Sequence, residues 1–198
     1  MARPIITRLS DPWPHISLNL VKEFIGLDPD IDAEQDKVLR ALVGAAIDQG
    51  QQITGIVWAE TKYRIDGVCP PWSGAGFLFP LTPVFSVKKV EGRDAAGVII
   101  FVPDSDYTLI PSAIEFGRPW PELRPVQQWP DDAVSFSVTC VAGWDLFGLP
   151  DSLLSWALTR IATMYDDRAD LGAGKTSMPR HHARGLLDRW TVRAAFDG

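Results

Sequence analysis

The chain has 198 residues, 46% hydrophobic and 22% charged, a balance typical of a globular protein with a real core. Its net charge of −6 argues against a surface built to grip nucleic-acid phosphates. No stretch reaches the roughly 18 apolar residues of a membrane-spanning helix, and Met1 to Asp11 lacks a secretory signal pattern, so we expect a cytoplasmic product. The two cysteines, Cys69 and Cys140, favour free thiols over disulfides or a thiolate metal site.

Helical spacing of apolar residues predicts two helices in the first part of the chain. The first covers Ser17 to Leu27 and ends at the Asp28-Pro29-Asp30 turn. The second is expected to begin after Asp32, which is suited to an N-cap, and to reach about Ile53.

From Ile56 the apolar pattern changes to period two, which predicts a strand. Gly67 to Gly76 predicts a loop, and Gly117 to Asp132 holds too many prolines for a central strand or a helix. Further short strands, separated by turn residues, are predicted over Phe77 to Phe79, Val84 to Val90, Val98 to Val102, Tyr107 to Ile110, Ala113 to Phe116 and Val134 to Ala142.

The last part of the chain is predicted to be helical again. A long helix with a broad apolar face begins near Pro150, Leu171 to Ser177 interrupts it, and a short basic helix follows from Pro179 to about Arg189. This order predicts an α+β fold in which the terminal helices pack on one another beside a central antiparallel sheet. We expect one domain over 1–198, with helices at about 17–54 and 150–190, the β region at about 56–142 and a tail at 190–198.

Two segments suggest ligand binding but depart from the patterns that bind ligands. Gly174 to Ser177 resembles the end of a phosphate-binding loop, yet Ala169 stands where the first glycine belongs, and the segment follows a helix instead of a strand. Asp28, Asp30 and Asp32 are spaced like the start of a calcium-binding loop, but the required Gly and Glu are replaced by Ala33 and Leu39. Ordinary turns explain both segments.

Catalytic patterns are equally weak. His181 and His182 are adjacent, so on a helix they point about 100° apart and cannot share a metal as an i, i+4 pair does. No Gly-x-Ser-x-Gly nucleophile motif occurs, and Cys140 lies in a strand pattern that should bury it. We therefore expect no catalytic residue, no cofactor and no metal, and a protein that is not an enzyme.

Eight tryptophans is a high number, and several lie outside the predicted helices and strands. Such aromatic residues either fill the edge of a core or anchor an interface. Trp72, Trp120 and Trp129, in the two Pro-rich loops, are the candidate interface anchors.

Five segments form a family pattern by their order and spacing. Leu20 to Leu27 leads through an acidic turn to a helix ending at Thr54-Gly55; Phe79 to Val87 and Val134 to Trp144 are strands; Leu149 to Arg168 is a long helix with a terminal Tyr-x-x-Arg step; and Met178 to Trp190 is a short helix. The chain thereby resembles, over roughly 18–190, the head-tail connector or adaptor family of tailed bacteriophages and gene transfer agents.

The resemblance implies a helical bundle with an inserted antiparallel β region. It also implies a structural subunit of a homo-oligomeric ring, usually of twelve copies, in the neck of a virion or virus-like particle assembled in the bacterial host cytoplasm. Such a ring lies between the portal protein and a stopper or tail-completion protein. Double-stranded DNA passes through its lumen without sequence-specific binding, and no membrane is involved. A net negative subunit suits a conduit that must attract phosphate only weakly.

On this reading the C-terminal segment is the candidate portal-binding site. Arg184, Arg189 and Arg193 would make electrostatic contacts, and Trp190 and Phe196 would be apolar anchors that become ordered on docking. The alternative for this segment is a frayed terminus.

Two other functions stay open. A stopper or tail-terminator protein of the same neck is the nearer alternative, although such proteins are typically rich in β structure and lack two long helices. A small cytosolic α+β enzyme or ligand-binding protein is the alternative from another class, and a pocket with convergent polar groups would favour it.

Overall fold

The computed structural model describes residues 4–10, 16–28, 33–69, 74–145, 148–170 and 185–192. Their contacts divide into two compact units. The sheet unit contains the described residues of 4–10 and 60–143, and the helical unit contains those of 16–59 and 144–192. The chain therefore starts in the sheet unit, crosses to the helical unit, returns to the sheet unit and ends its described part in the helical unit.

The helical unit contains four helices within the described residues: α1 (Leu18–Ile25), α2 (Ala33–Thr54), α3 (Asp151–Asp170) and α4 (Gly185–Asp188). Gly26 ends α1 in the left-handed conformation, with φ 73°, and its N–H bonds to the Glu23 carbonyl. The predicted first, second and third helices are confirmed with nearly these bounds. Each helix buries apolar side chains, and Val21, Leu39, Leu153, Ile161 and Leu187 are fully buried.

The sheet unit contains eight strands within the described residues: β1 (Ile5–Arg8), β2 (Thr61–Val68), β3 (Phe77–Leu78), β4 (Val84–Arg93), β5 (Ile99–Val102), β6 (Tyr107–Ile110), β7 (Glu122–Pro125) and β8 (Ser135–Ala142). Five form a sheet in the order β1-β2-β8-β4-β5, and three form a sheet in the order β3-β7-β6. All neighbouring strands are antiparallel. The inserted antiparallel β region predicted from the sequence is thereby confirmed.

One face of the five-stranded sheet is buried. Ile65 on β2 and Val90 on β4 lie in register on either side of Val138 on β8, and all three are at most 1% exposed. Because side chains alternate along a strand, this register fixes which residues of every strand face the core.

The α+β class is confirmed, but the helical bundle is not. Of the four described helices, α1 and α4 have only eight and four residues, so only α2 and α3 are long. The single domain over 1–198 stays a prediction. The predicted break at Leu171 to Ser177 and most of the predicted basic helix lie outside the described residues.

Two strand predictions are wrong in detail. Ile56 to Ala59 precedes β2 and is buried at all four positions in the helical unit, because its side chains fill that unit's core instead of alternating between two faces. Ala113 to Phe116 forms an isolated bridge and a 3-10 turn that ends at Gly117 with φ 74°. In addition, no predicted strand corresponds to β1.

The Pro-rich segment from Gly117 to Asp132 contains β7, the central strand of the three-stranded sheet, contrary to prediction. The strand is possible because its prolines lie at its ends: Pro121 precedes it and Pro125 is its last residue. The missing proline N–H groups therefore interrupt no interior position of the ladder.

Candidate assembly interface

Large apolar side chains are exposed mainly on the sheet unit. The helical unit exposes Leu20, Phe24, Ile53 and Leu186. Single exposed apolar residues are ordinary, whereas grouped ones mark contact surfaces. The larger set on the sheet unit comprises Ile5, Ile6, Leu9, Leu78, Phe85, Val98, Ile99, Phe101, Phe116, Val126 and Val134.

The two edge strands of the five-stranded sheet carry much of this apolar surface. All four residues of β1 are exposed, and Ile5 is 67% exposed. On β5, Ile99 is 53% and Phe101 is 61% exposed. Within the described residues β1 pairs only with β2, and β5 only with β4. Each edge therefore presents a row of backbone N–H and C=O groups that a further strand could bind.

A row of residues in register crosses the five-stranded sheet on the face opposite the buried one, which we term the outer face. The row runs Ile5, Asp66, Ser137, Glu91 and Phe101, from β1 to β5. Its centre is polar and its two ends are apolar. Protein interfaces usually have an apolar centre and a polar rim, so this row has the opposite arrangement.

The polar centre of the outer face is internally paired. Arg64 Nε donates a hydrogen bond to Asp66 Oδ1 at 2.9 Å, and Ser137 Oγ donates to the same oxygen. Lys89 Nζ lies 2.7 Å from Glu91 Oε1. Burial works to raise the pKa of Asp66, but the hydrogen bonds from Ser137 and Arg64 outweigh it and lower that pKa. The carboxylate is therefore a charged partner in a strand-to-strand network, not a proton-transfer group.

The tryptophans predicted as interface anchors do not share a surface. Trp120 is half-buried, and Trp72 lies outside the described residues. Trp129 is buried: its indole N–H donates to the Ala75 carbonyl at 2.7 Å and its ring packs on Phe136 with a centroid separation of 5.1 Å. In the isolated subunit Trp129 therefore fills the core of the sheet unit, which corrects its interpretation as an exposed anchor.

The candidate portal-binding residues are not shown to lie together on one surface. Arg189 is exposed, directly after α4, whereas Arg184, Arg193 and Phe196 lie outside the described residues. Trp190 is buried. Its indole N–H donates to Ser152 Oγ at 2.8 Å. Its ring also meets Trp144 edge to face, with centroids 5.8 Å apart. Trp190 therefore belongs to the core of the helical unit and not to an exposed tail.

The chain stays attached to the helical unit for two residues beyond Trp190. The N–H of Val192 donates to the Thr54 carbonyl at the end of α2, at 2.7 Å. Gly55 follows with φ 71°, and a Cβ there would lie only 2.6 Å from the Val192 carbonyl oxygen. A glycine is therefore required at this contact, both for its backbone conformation and for space.

The exposed edges of the five-stranded sheet are not predicted from the sequence. Ile5-Ile6-Thr7 is a short β-branched run, which is a strand signal, but no strand is predicted there. The strand predicted over Val98 to Val102 corresponds to β5, and its uninterrupted apolar run means that apolar residues face both sides of the sheet. Phe116 is 87% exposed on the 3-10 turn, and no sequence pattern predicts this exposure.

Within the described residues, no group of three or more His, Cys, Asp or Glu side chains is arranged to hold a metal ion. In those same residues no helix is both long and apolar enough to span a membrane. Asp28 is described, but Asp30, Asp32, Gly174 to Ser177 and His181-His182 are not, so their interpretation as turns stays a prediction.

Sequence comparison gives no relative: no family model matches the chain, and no curated protein matches it either. Solved structures do match. One is a chain of the neck of an empty gene transfer agent (GTA) particle, computed with C6 symmetry, with a TM-score of 0.74 and 19% identity over 98% of both chains.

Two further matches have 23% identity over 98% of both chains. They are chains of the virion of a native GTA particle, with a TM-score of 0.68, and of the neck of a native GTA particle computed with C12 symmetry, with a TM-score of 0.67. The resemblance drawn from the sequence is thereby supported along nearly the whole chain, and this protein has the fold of a chain found in the neck and virion of gene transfer agent particles.

Proposed function

We propose that this protein is a non-enzymatic structural subunit of a homo-oligomeric ring in the neck of a gene transfer agent or phage-like particle. The observation that carries the proposal is the fold match over 98% of both chains to neck structures with C6 and C12 symmetry. Cyclic rings need two different, complementary surfaces on each subunit. The sheet unit, with two distinct apolar edges, offers such a pair.

Within the neck, the role proposed is that of the adaptor between the portal and the stopper or tail. A stopper of the same neck is the competing role. The two long helices α2 and α3, of 22 and 20 residues, favour the adaptor, because a stopper is expected to be rich in β structure and to lack two long helices.

The lumen would carry double-stranded DNA. A subunit with a net charge of −6 gives a conduit that attracts phosphate weakly, so that DNA can move through it. The proposed portal contact is the segment after Val192, together with Arg184 and Arg189.

Native mass spectrometry of the purified protein, alone and then mixed with the cognate portal ring, tests this function. We expect a ring in the first sample, or a monomer that becomes a stoichiometric ring on the portal in the second. In a third mixture, binding to an isolated tail ring but not to the portal would support the stopper role. A monomer in every mixture would overturn the ring proposal.

A further inference from the structure

We propose that neighbouring subunits of the ring join edge to edge, with β5 of one subunit hydrogen-bonded to β1 of the next. This inference rests on the proposed ring and specifies its interface: a second copy of this chain occupies each edge. Head-to-tail rings require a heterologous contact between two different surfaces. The two edges of one five-stranded sheet are such surfaces.

The backbone of β1 is oriented for this contact. The N–H of Leu9 donates to the Lys62 carbonyl at 2.8 Å, so Leu9 and Lys62 form a hydrogen-bonded pair. In an antiparallel ladder such pairs recur at every second residue. Ile5 and Thr7 therefore direct their N–H and C=O groups toward β2, and those of Ile6 and Arg8 point away from the sheet.

The same reasoning applies to β5. The N–H of Asp94 donates to the Val98 carbonyl at 3.1 Å, which makes 94 and 98 a hydrogen-bonded pair. Ile100 and Val102 then bond to β4, whereas the backbone groups of Ile99 and Phe101 point outward. Each edge is a four-residue strand with two outward-pointing residues, so the two edges match in length.

The side chains of the two edges also match. Ile5 and Phe101 lie at opposite ends of the row that crosses the outer face, and Ile99 lies on the same face as Phe101. Because four antiparallel pairings separate them, β1 and β5 run in the same direction, so a sheet that continues into the next subunit with its outer face on the same side pairs β5 with a parallel β1. Ile5 then comes beside Ile99 and Phe101 of the neighbour, and removing these apolar side chains from water stabilises the contact.

Some of the features that protect free edges are missing from these two strands. Protected edge strands are very short or carry charged residues, proline or a bulge that discourages pairing with another chain. Both edges are short, and β1 carries Arg8. β1 and β5 contain no lysine and no proline, and their pairings with β2 and β4 are regular. Their apolar side chains are instead more than half exposed at Ile5, Ile99 and Phe101. Such edges suit strands that are covered on assembly.

Charged substitutions at both edges, with a matched control, test the proposal. Ile5→Lys and Phe101→Glu each place an unpaired charge in the interface, and each is expected to abolish the ring observed for the wild type. The double variant places opposite charges on the two edges of every interface, and we expect it to recover the ring. Phe116→Glu, which also changes an exposed phenylalanine but off both edges, should assemble like wild type.

A proline substitution tests the backbone hydrogen bonds separately. The N–H of Ile6 points away from β2, so Ile6→Pro should leave the melting temperature of the subunit nearly unchanged. It should nevertheless prevent ring formation, since the proline removes an intersubunit donor. All variants are compared by native mass spectrometry under the condition in which wild type forms a ring, with circular dichroism to verify folding.

The outcomes separate the two proposals. A wild-type chain that forms no ring, alone or on the portal, overturns the proposed function and the edge contact with it. A wild-type ring that persists in folded Ile5→Lys, Phe101→Glu and Ile6→Pro overturns the edge contact alone. Loss of the ring in both charged variants without recovery in the double variant would also count against direct pairing of these two edges.

Discussion

At the residue scale, Gly50 on α2 packs directly against the Trp58 indole. The ring covers the Cα of Gly50, its Nε1 donates to Thr54 Oγ1 at 3.0 Å, and Thr54 Oγ1 donates to the Gly50 carbonyl at 2.7 Å. Trp156 meets the same ring edge to face, with centroids 5.6 Å apart. The indole is thus fixed on several sides, with no space for an added methyl group.

Gly50→Ala is therefore expected to destabilise the protein by about 1–3 kcal/mol, the usual cost of overpacking a rigid core. Urea unfolding measures this cost. The matched control is Gly44→Ala in the same helix, where a Cβ meets nothing within 4 Å. That change should stabilise by about 0.5–1 kcal/mol, because alanine favours helix over glycine. Equal effects at the two positions would contradict the packing described.

The two thiols should differ sharply in reactivity. Cys69 is exposed, whereas Cys140 is buried and burial raises the pKa of its thiol to about 12. A maleimide at neutral pH should label one cysteine per folded subunit and two in denaturant. Cys69→Ser should abolish the labelling of the folded protein. Rapid labelling of Cys140 in the native state would show that the sheet core opens readily.

The contacts of individual side chains were the feature least predictable from the sequence. A pattern identifies Trp129 and Trp190 as aromatic residues outside helices and strands, but not whether their indole N–H groups find partners. Those partners, the Ala75 carbonyl and Ser152 Oγ, lie 54 and 38 residues away in the sequence. Only the fold brings them together, so both tryptophans were assigned to a surface.

At the scale of elements, α1 and α2 are joined by an ion pair with unequal exposure. Lys22 Nζ lies 2.8 Å from Asp36 Oδ1, and the side chains are 5% and 31% exposed. Removing one partner of a buried pair costs most when the remaining charge cannot reach water. Here the remaining charge is the buried lysine if Asp36 is removed, but the partly hydrated aspartate if Lys22 is removed.

Asp36→Ala should consequently destabilise by about 2 kcal/mol, and Lys22→Met by less than about 1 kcal/mol, since methionine fills the space of the lysine stem. Both values come from denaturant unfolding at neutral pH. The double variant is expected to resemble Lys22→Met, because no buried charge then lacks its carboxylate. An equal loss in both single variants would contradict the asymmetry.

Long or strongly patterned elements could be predicted, and short or context-dependent ones could not. α2, α3 and β8 repeat their apolar spacing over enough residues to determine their type and nearly their bounds. β1 and β7 have four residues each and exist because a neighbouring strand pairs with them. The same limit applies to the candidate interface: the strand of Phe101 was predicted, but not that it lies at the edge of the sheet.

At the scale of the whole molecule, the attachment of Trp190 and Val192 to the helical unit decides where the C-terminal segment can be cut. A chain that ends at Val192 keeps the indole in its site and the bond to Thr54, and should melt like the full chain. A chain that ends at Arg189 loses both and should be less stable by about 3–5 kcal/mol, as for removal of a buried tryptophan.

The same two truncations test the proposed portal contact. If the segment after Val192 docks to the portal, the chain ending at Val192 should fold normally and fail to bind the portal ring in a pull-down assay. Retained binding would assign the contact to Arg189 or to another surface. Only the chain ending at Val192 separates portal binding from folding, because the chain ending at Arg189 changes both properties.

The bond between Val192 and Thr54 also bears on how the protein is made. The ribosome synthesises α2 before the β region, yet the carbonyl at the end of α2 gains this partner only 138 residues later. The sheet unit, whose last described strand ends at Ala142, has all its described strands available sooner and can fold while synthesis continues. A chain that terminates early would then have a folded sheet unit and an incomplete helical unit. Cellular proteases can degrade such a chain before it enters a particle.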